Sequence, residues 1–240
     1  GGTWIAHGSG DADREVVDSK DHIAVPPDNP KYTLRRVWLT QEEEERFYYG
    51  FSNEALWPLC HIVYVKPKFD EADWLIYKSV NQKFANVVLE EVGNEKAFVF
   101  IQDYHFTLLP KMLKESRPDL LVAQFWHIPW PNREAFRICP WGHEILEGLL
   151  GNDLMGFHVQ YHCNNFLDTV DRNLESRIDY GKFTATKGGK TTHVRPFPIS
   201  IDFEELNLLS QEKDVENEMV RMKRELGLKG QIIGVGLDRV

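Results

Sequence analysis

No run of apolar residues in this 240-residue chain approaches the roughly 18–20 that a membrane-spanning helix needs. The opening GGTWIAHGSG lacks the charged, apolar and small-residue order of a secretory leader. Cysteine is scarce. Cys60, Cys139 and Cys163 are an odd number without zinc-type spacing, which points to reduced thiols and a cytoplasmic setting rather than a disulfide framework. Positive charge is short too: 28 Lys and Arg stand against 37 Asp and Glu, a net charge of −9. That balance argues against a general nucleic-acid or membrane-surface role but leaves room for phosphate groups held by a few local donors. Internal repeats and low-complexity tracts are missing as well, so a repeat architecture is not expected. The chain also opens without methionine and stops inside QIIGVGLDRV, an apolar run entering a loop, and reads as a piece of a longer protein.

What is present suits a sizeable core. The chain is 42% hydrophobic and 27% charged, enough for one large domain or two small ones. Seven tryptophans exceed what such a core requires. Several stand beside glycine or proline in expected loops, where a flat apolar face can stack on a sugar ring or pack the loop onto the domain.

The most informative stretch runs from Ala97 to Asn132. The apolar residues Phe98–Ile101 lead into Asp103-Tyr104-His105; a helix-length segment follows, and a second apolar run, Leu120–Trp126, leads into His127-Ile128-Pro129-Trp130-Pro131. Short, fully apolar runs on either side of a helix predict buried parallel strands of an α/β sheet. Ligands of such sheets bind at the carboxyl edge of the strands, so Asp103, His105 and His127 are expected to reach one cleft. Plainer roles compete: Asp103 could cap the following helix, His105 could pack, and His127 could be a hydrogen-bonded core residue. The two prolines after His127 would hold its turn rigidly, as a site residue requires.

Elsewhere, residues 1–32 read as irregular apart from a short strand at His22–Val25, and Arg35–Leu39 as a strand. Thr40 and Glu43 have capping-box spacing ahead of a helix through Tyr48, followed by a loop and short helix over Phe51–His61. Asp70 or Asp73 begins a long helix whose stripe Trp74, Tyr77, Val80, Phe84, Val88 is core, with Gly93 as its stop. Helices are expected at Glu134–Phe136, Pro140–Leu150 and Gln160–Asp171, and a strand at Asp153–Val159. A hairpin over Lys182–Thr186 and Thr191–Phe197 should turn at Lys187–Lys190. Ser210–Leu226 reads as a charged helix or linker, and a new strand opens at Ile232.

Four blocks of residues carry a family resemblance. Asp103-Tyr104-His105 followed by His127-Ile128-Pro129-Trp130-Pro131 resembles the retaining glucosyltransferases of the trehalose-6-phosphate synthase family, family 20. Phe51-Ser52-Asn53 with Leu56-Trp57-Pro58 and His61, Asp153–His158, and Gly236–Val240 match further blocks of that family in its order, over nearly the whole chain. The resemblance implies a fold of class α/β, the Rossmann-like N-terminal domain of a GT-B glycosyltransferase with a mostly parallel sheet flanked by helices. On this basis 1–228 form the acceptor-side domain and 229–240 the first strand of the nucleotide-sugar domain.

It also implies transfer of glucose from UDP-glucose to glucose-6-phosphate with retention, giving α,α-trehalose-6-phosphate. The same fold with a glycerol phosphate acceptor, or a non-catalytic regulatory relative, are the alternatives. Asp103 and His127 are the implied catalytic pair. Asp103, Trp4, Tyr48 and Trp57 would bind the acceptor, while His127 and Arg239 would bind the donor. His7 stands where relatives often carry a second aromatic residue. No metal, no resident cofactor, no nucleic acid and no membrane partner are implied, and a homo-oligomer is compatible with the family. Retention through same-face attack needs no carboxylate pair of the glycosidase kind; positioning and stabilisation of the leaving diphosphate would do the work. Three other patterns fail on context. Gly189-Lys190-Thr191 lacks the leading glycine and following helix of a phosphate loop, and His143-Glu144 lacks a second histidine. His158, His162 and Cys163 straddle a strand end rather than one helix face.

Overall fold

The computed structural model describes residues 2–228 together with Gly230 and Gly234. The chain divides into two compact units, Gly1–Pro198 and Ile199–Val240. The first unit opens with strand β1 (Thr3–His7), a single helical turn α1 (Asp13–Val16), β2 (His22–Val25) and β3 (Tyr32–Val37). These form a three-stranded sheet in the order β1-β3-β2, with β1 parallel and β2 antiparallel to β3. Strand β1 corrects the expectation of an irregular amino terminus. Its alternation is hidden by the flanking glycines, and its pairing partner lies 30 residues on.

Helix α2 (Gln41–Glu44) starts with the expected capping box: Thr40 accepts from Glu43 N while Glu43 accepts from Thr40 N. A π-helix (Glu45–Leu56) and α3 (Trp57–His61) continue it, where the sequence predicts a break. The continuous helix accommodates both Gly50 and Pro58. Gly50 is there for close packing, since a Cβ at this position would lie 2.7 Å from a carboxylate oxygen of Asp73, and Glu54 O, four residues before Pro58, accepts instead from Lys68 N at 2.8 Å.

Helix α4 (Glu71–Val92) begins at Asp70, whose side chain accepts from Ala72 N and Asp73 N, and ends at Gly93 with φ +52°. Its buried stripe is the expected one, Trp74, Tyr77, Val80, Phe84 and Val88, with Asn81 in the same face. Then β4 (Phe98–Gln102), a 3-10 turn (Tyr104–Phe106), α5 (Leu109–Ser116) and β5 (Leu121–Trp126) form the predicted β-α-β unit; α6 (Arg133–Phe136), α7 (Gly142–Leu149), β6 (Leu154–Phe157) and α8 (Gln160–Asn173) follow. Strands β7 (Arg177–Asp179), β8 (Thr184–Lys187) and β9 (Lys190–Pro196) complete a six-stranded sheet in the order β4-β5-β6-β9-β8-β7. The first four of these are mutually parallel and the last two antiparallel. The hairpin turns at Gly188 (φ +56°) and Gly189 (φ +78°), the left-handed pair that a two-residue hairpin loop demands. Strand β5 is central and buried, as its apolar run predicts. Strand β4 is parallel to β5 as expected but corrects the expectation of burial: it is an edge strand of the described sheet, and Phe98 and Phe100 are more than half exposed.

In the second unit, α9 (Phe203–Leu209) is capped by Asp202 and α10 (Lys213–Glu225) ends before Gly227 at φ +66°. The strand expected at Ile232 lies outside the described residues. Among them, no helix is long and apolar enough to cross a membrane.

The β4–α5 connection is clamped from α4. Asn81 Oδ1 accepts from Leu108 N and Leu109 N, both at 3.2 Å, while its Nδ2 donates to the carbonyls of Tyr77 and His105. Replacing Asn81 by Leu keeps the volume but strands two buried amides, each worth about 1–3 kcal/mol. Asn81→Leu should therefore lower the unfolding free energy by roughly 2–4 kcal/mol, read as a lower urea midpoint with an unchanged slope.

Candidate active site

The parallel register sets Gln102 opposite Phe125, so β4 and β5 end side by side and release Asp103 and His127 at the same edge. Asp103 has φ +63° and ψ −171°, a conformation that a residue with a Cβ holds only under constraint. Three contacts supply the constraint. Asp103 N donates to Phe125 O at 2.8 Å, the fully buried Gln124 donates to Asp103 O at 2.8 Å, and Asp103 Oδ1 accepts from His127 N at 3.1 Å. Gln124 is itself fixed by Asn152 Nδ2 at 2.9 Å. The carboxylate makes no cap to the following turn. The helix-cap role is thereby ruled out, and Asp103 and His127 are brought together.

His127 is exposed. Its Nε2 lies 2.9 Å from Gln102 Oε1, and its ring meets Phe125 edge-on at 4.7 Å and His158 at 5.8 Å. Gln102 and His158 are the neighbours that sequence reasoning missed. Gln102 reads as the last residue of an apolar strand, and His158 as the end of a family block and a failed metal pattern, with no site role. The cue available was position, since both end strands adjacent to β5 at its carboxyl edge.

His105 packs, as its plainer reading had it, but in a particular way. Its imidazole lies between Tyr48, at 5.3 Å and 7° from parallel, and Tyr104, at 4.2 Å and 28°. The π-helix makes this possible. Its i→i+5 bonding puts residues five apart on one side, so Tyr48 reaches His105 while Asn53 Oδ1 accepts from the Tyr104 hydroxyl at 2.9 Å. Tyr77 O–H, below the turn, donates to Tyr104 O at 2.8 Å. Burial lowers the His105 pKa from its ordinary 6.5, opposed by the nearby Asp103 carboxylate, so the stacked site favours the neutral ring. Burial likewise raises the Tyr104 hydroxyl, with help from Asp103 and Tyr48.

Trp57, 40% exposed, stacks on His61 at 4.0 Å, and His61 Nδ1 bonds back to Trp57 O at 2.8 Å. Trp4 is 58% exposed on β1, in the three-stranded sheet rather than the one that carries Asp103 and His127. Arg239 lies outside the described residues. The three thiols are buried and free; burial pushes Cys139 up to about 12 and Cys163 to about 11, which removes them as nucleophiles. Among the described residues no group of three His, Cys, Asp or Glu side chains is arranged to hold a metal ion. His162 is instead bonded through Nδ1 to Trp130 O.

The site is therefore an open edge with one carboxylate, one exposed imidazole and flanking aromatic faces. It can orient hydroxyl groups and stack on a sugar ring, and among the described residues no thiol is activated as a nucleophile. The model of Glycosyltransferase family 20 matches residues 2–240. The trehalose-6-phosphate synthase of Mycolicibacterium vanbaalenii is 37% identical over 233 residues, covering 94% of this chain and 47% of that protein. The enzyme of the same name from Mycobacterium tuberculosis is 38% identical over 216 residues, covering 86% and 42%. A solved E. coli structure, trehalose-6-phosphate bound with UDP-2-fluoro glucose, superposes with a TM-score of 0.78 at 25% identity, over 95% of this chain and 48% of that one. A Burkholderia xenovorans α,α-trehalose-phosphate synthase (UDP-forming) in complex with glucose-6-phosphate shares the fold, with a TM-score of 0.74 at 22% identity over 94% and 55%. The chain spans about half the length of the curated relatives it matches.

The lowered pKa of His105 has a consequence for stability. Below its ordinary pKa of 6.5 the unfolded chain binds a proton that the folded chain refuses, so the folded state loses stability as pH falls. His105→Phe should keep the stack and remove this component. Thermal melts from about pH 7.5 down to about pH 5 should show a shallower fall in Tm for the variant than for the parent.

Proposed function

The chain belongs to glycosyltransferase family 20, and from that premise we propose that it is the acceptor-side domain of a retaining enzyme that makes α,α-trehalose-6-phosphate from UDP-glucose and glucose-6-phosphate. Residues 1–228 form that domain and 229–240 open the nucleotide-sugar domain. The observation that carries the reading is the pairing of Asp103 and His127 at the carboxyl ends of two adjacent parallel strands, the edge at which α/β sheets bind ligands.

In this reading Asp103 keeps Oδ1 on His127 N and offers Oδ2 to a hydroxyl of the acceptor sugar. Tyr48, Trp57 and Trp4 give the acceptor aromatic faces. His127 orients the donor glucose, and Arg239 pairs with the leaving diphosphate, for which a guanidinium fork suits two phosphate oxygens at once. Transfer then proceeds by alignment: the acceptor hydroxyl attacks the anomeric carbon on the face that the UDP leaves, and the rate comes from geometry and charge stabilisation. The nucleotide sugar is a substrate, and no resident cofactor takes part.

The test is UDP release by the longer polypeptide that carries this chain, with UDP-glucose as donor. Release with glucose-6-phosphate should fall at least about a hundredfold in His127→Ala, the loss typical of removing a group aligned on the reacting sugar. Release with glycerol-3-phosphate alone would keep the fold and move the acceptor. No release with either, whatever the nucleotide, would favour a regulatory relative. The 240-residue chain by itself should give no turnover.

A further inference from the structure

Two consecutive residues at the end of β4 hold His127 from different sides. Asp103 Oδ1 accepts from its backbone N–H at 3.1 Å, and Gln102 Oε1 lies 2.9 Å from its Nε2. An amide oxygen can only accept, so Nε2 carries the proton, and a neutral imidazole protonated there keeps its lone pair on Nδ1. Nδ1 makes no hydrogen bond to any described residue. The ring is also fenced by Phe125 at 4.7 Å and His158 at 5.8 Å, both inclined at 67°. Turning Nε2 outward would break the Gln102 bond.

We propose that Gln102 is a positioning residue: it fixes the orientation and tautomer of His127, so that the imidazole meets its ligand through Nδ1, as a hydrogen-bond acceptor for a donating hydroxyl. The identity of that ligand as the nucleotide sugar rests on the function proposed above; the Gln102–His127 bond does not. Such outer contacts matter because a site residue left to rotate is a degree of freedom that binding must then restrict. Gln102 is half-buried on an edge strand, where an apolar residue of similar size keeps the strand and removes only the acceptor.

The test has two arms. The first uses proton NMR on this chain with labelled histidine, the His127 ring being assigned by its loss in His127→Asn. A hydrogen-bonded Nε2–H exchanges slowly and gives a downfield line, which should be present in the parent and in Gln102→Glu, which retains an oxygen acceptor. It should vanish in Gln102→Leu, with circular dichroism unchanged. A line that survives in Gln102→Leu, or is missing from the parent, overturns the bond. The second arm measures steady-state kinetics in the longer polypeptide. Gln102→Leu should raise KM for UDP-glucose roughly tenfold and leave KM for the sugar phosphate unchanged, with partial recovery in Gln102→Glu. Equal changes in both constants, or none, overturn the positioning role. Absence of all turnover in the parent counts against the proposed function, and the NMR arm still decides the bond.

Discussion

The candidate site depends on the hydrogen bonds that hold the turn between β4 and α5. Seven residues, Asp103–Leu109, leave the sheet, make one 3-10 turn and enter a helix, and their backbone polar groups would be stranded in the core without partners. The partners come from buried polar side chains on other elements: Tyr77 and Asn81 from α4, and Gln124 from the middle of β5. Each bond alone is modest, but each orphaned group would carry the full cost of its desolvation. The turn is therefore committed to one geometry, and that geometry includes the positive φ of Asp103.

That commitment explains how two adjacent parallel strands can present a carboxylate and an imidazole in fixed relation. Asp103 is forced outward by the backbone beneath it and spends one oxygen on His127 N, so the strain at one residue orders the next strand's end. On the other side of the same turn, His105 is stacked against Tyr48 and Tyr104, and burial lowers its pKa. The π-helix then extends aromatic surface toward the edge without a separate loop. Polar atoms orient the groups that would read hydroxyls, and stacked rings set the faces on which a sugar could lie. Under the proposed function, this is the division of labour that transfer by alignment calls for.

Much of this was legible in the residues. The 3.6-residue stripe of α4, the Thr40–Glu43 box, the Gly188-Gly189 hairpin and the β-α-β unit from Phe98 to Trp126 all follow from signals within a few positions of one another, and all are present. So was the edge at which Asp103 and His127 meet, because the strand ends are marked by the change from apolar to polar residues. The errors fell where local signals pointed the wrong way. The loop expected within Phe51–His61 is a helix that does not break, the glycines around Thr3–His7 concealed a strand, and Phe98 and Phe100 suggested a buried strand at what is an edge of the described sheet.

What the sequence determined by itself was the set of elements and the order in which polar residues leave them, since both are governed by periodicity and by turn chemistry between near neighbours. Only the tertiary structure decided which polar atoms meet. Gln102 reaches His127 across 25 positions, Gln124 reaches Asp103 across 21 and Asn81 reaches Leu108 across 27. The reason is physical: a hydrogen bond is fixed within a few tenths of an ångström, and at such separations the distance is set by strand register and by the packing of α4 on the sheet, which no local pattern encodes.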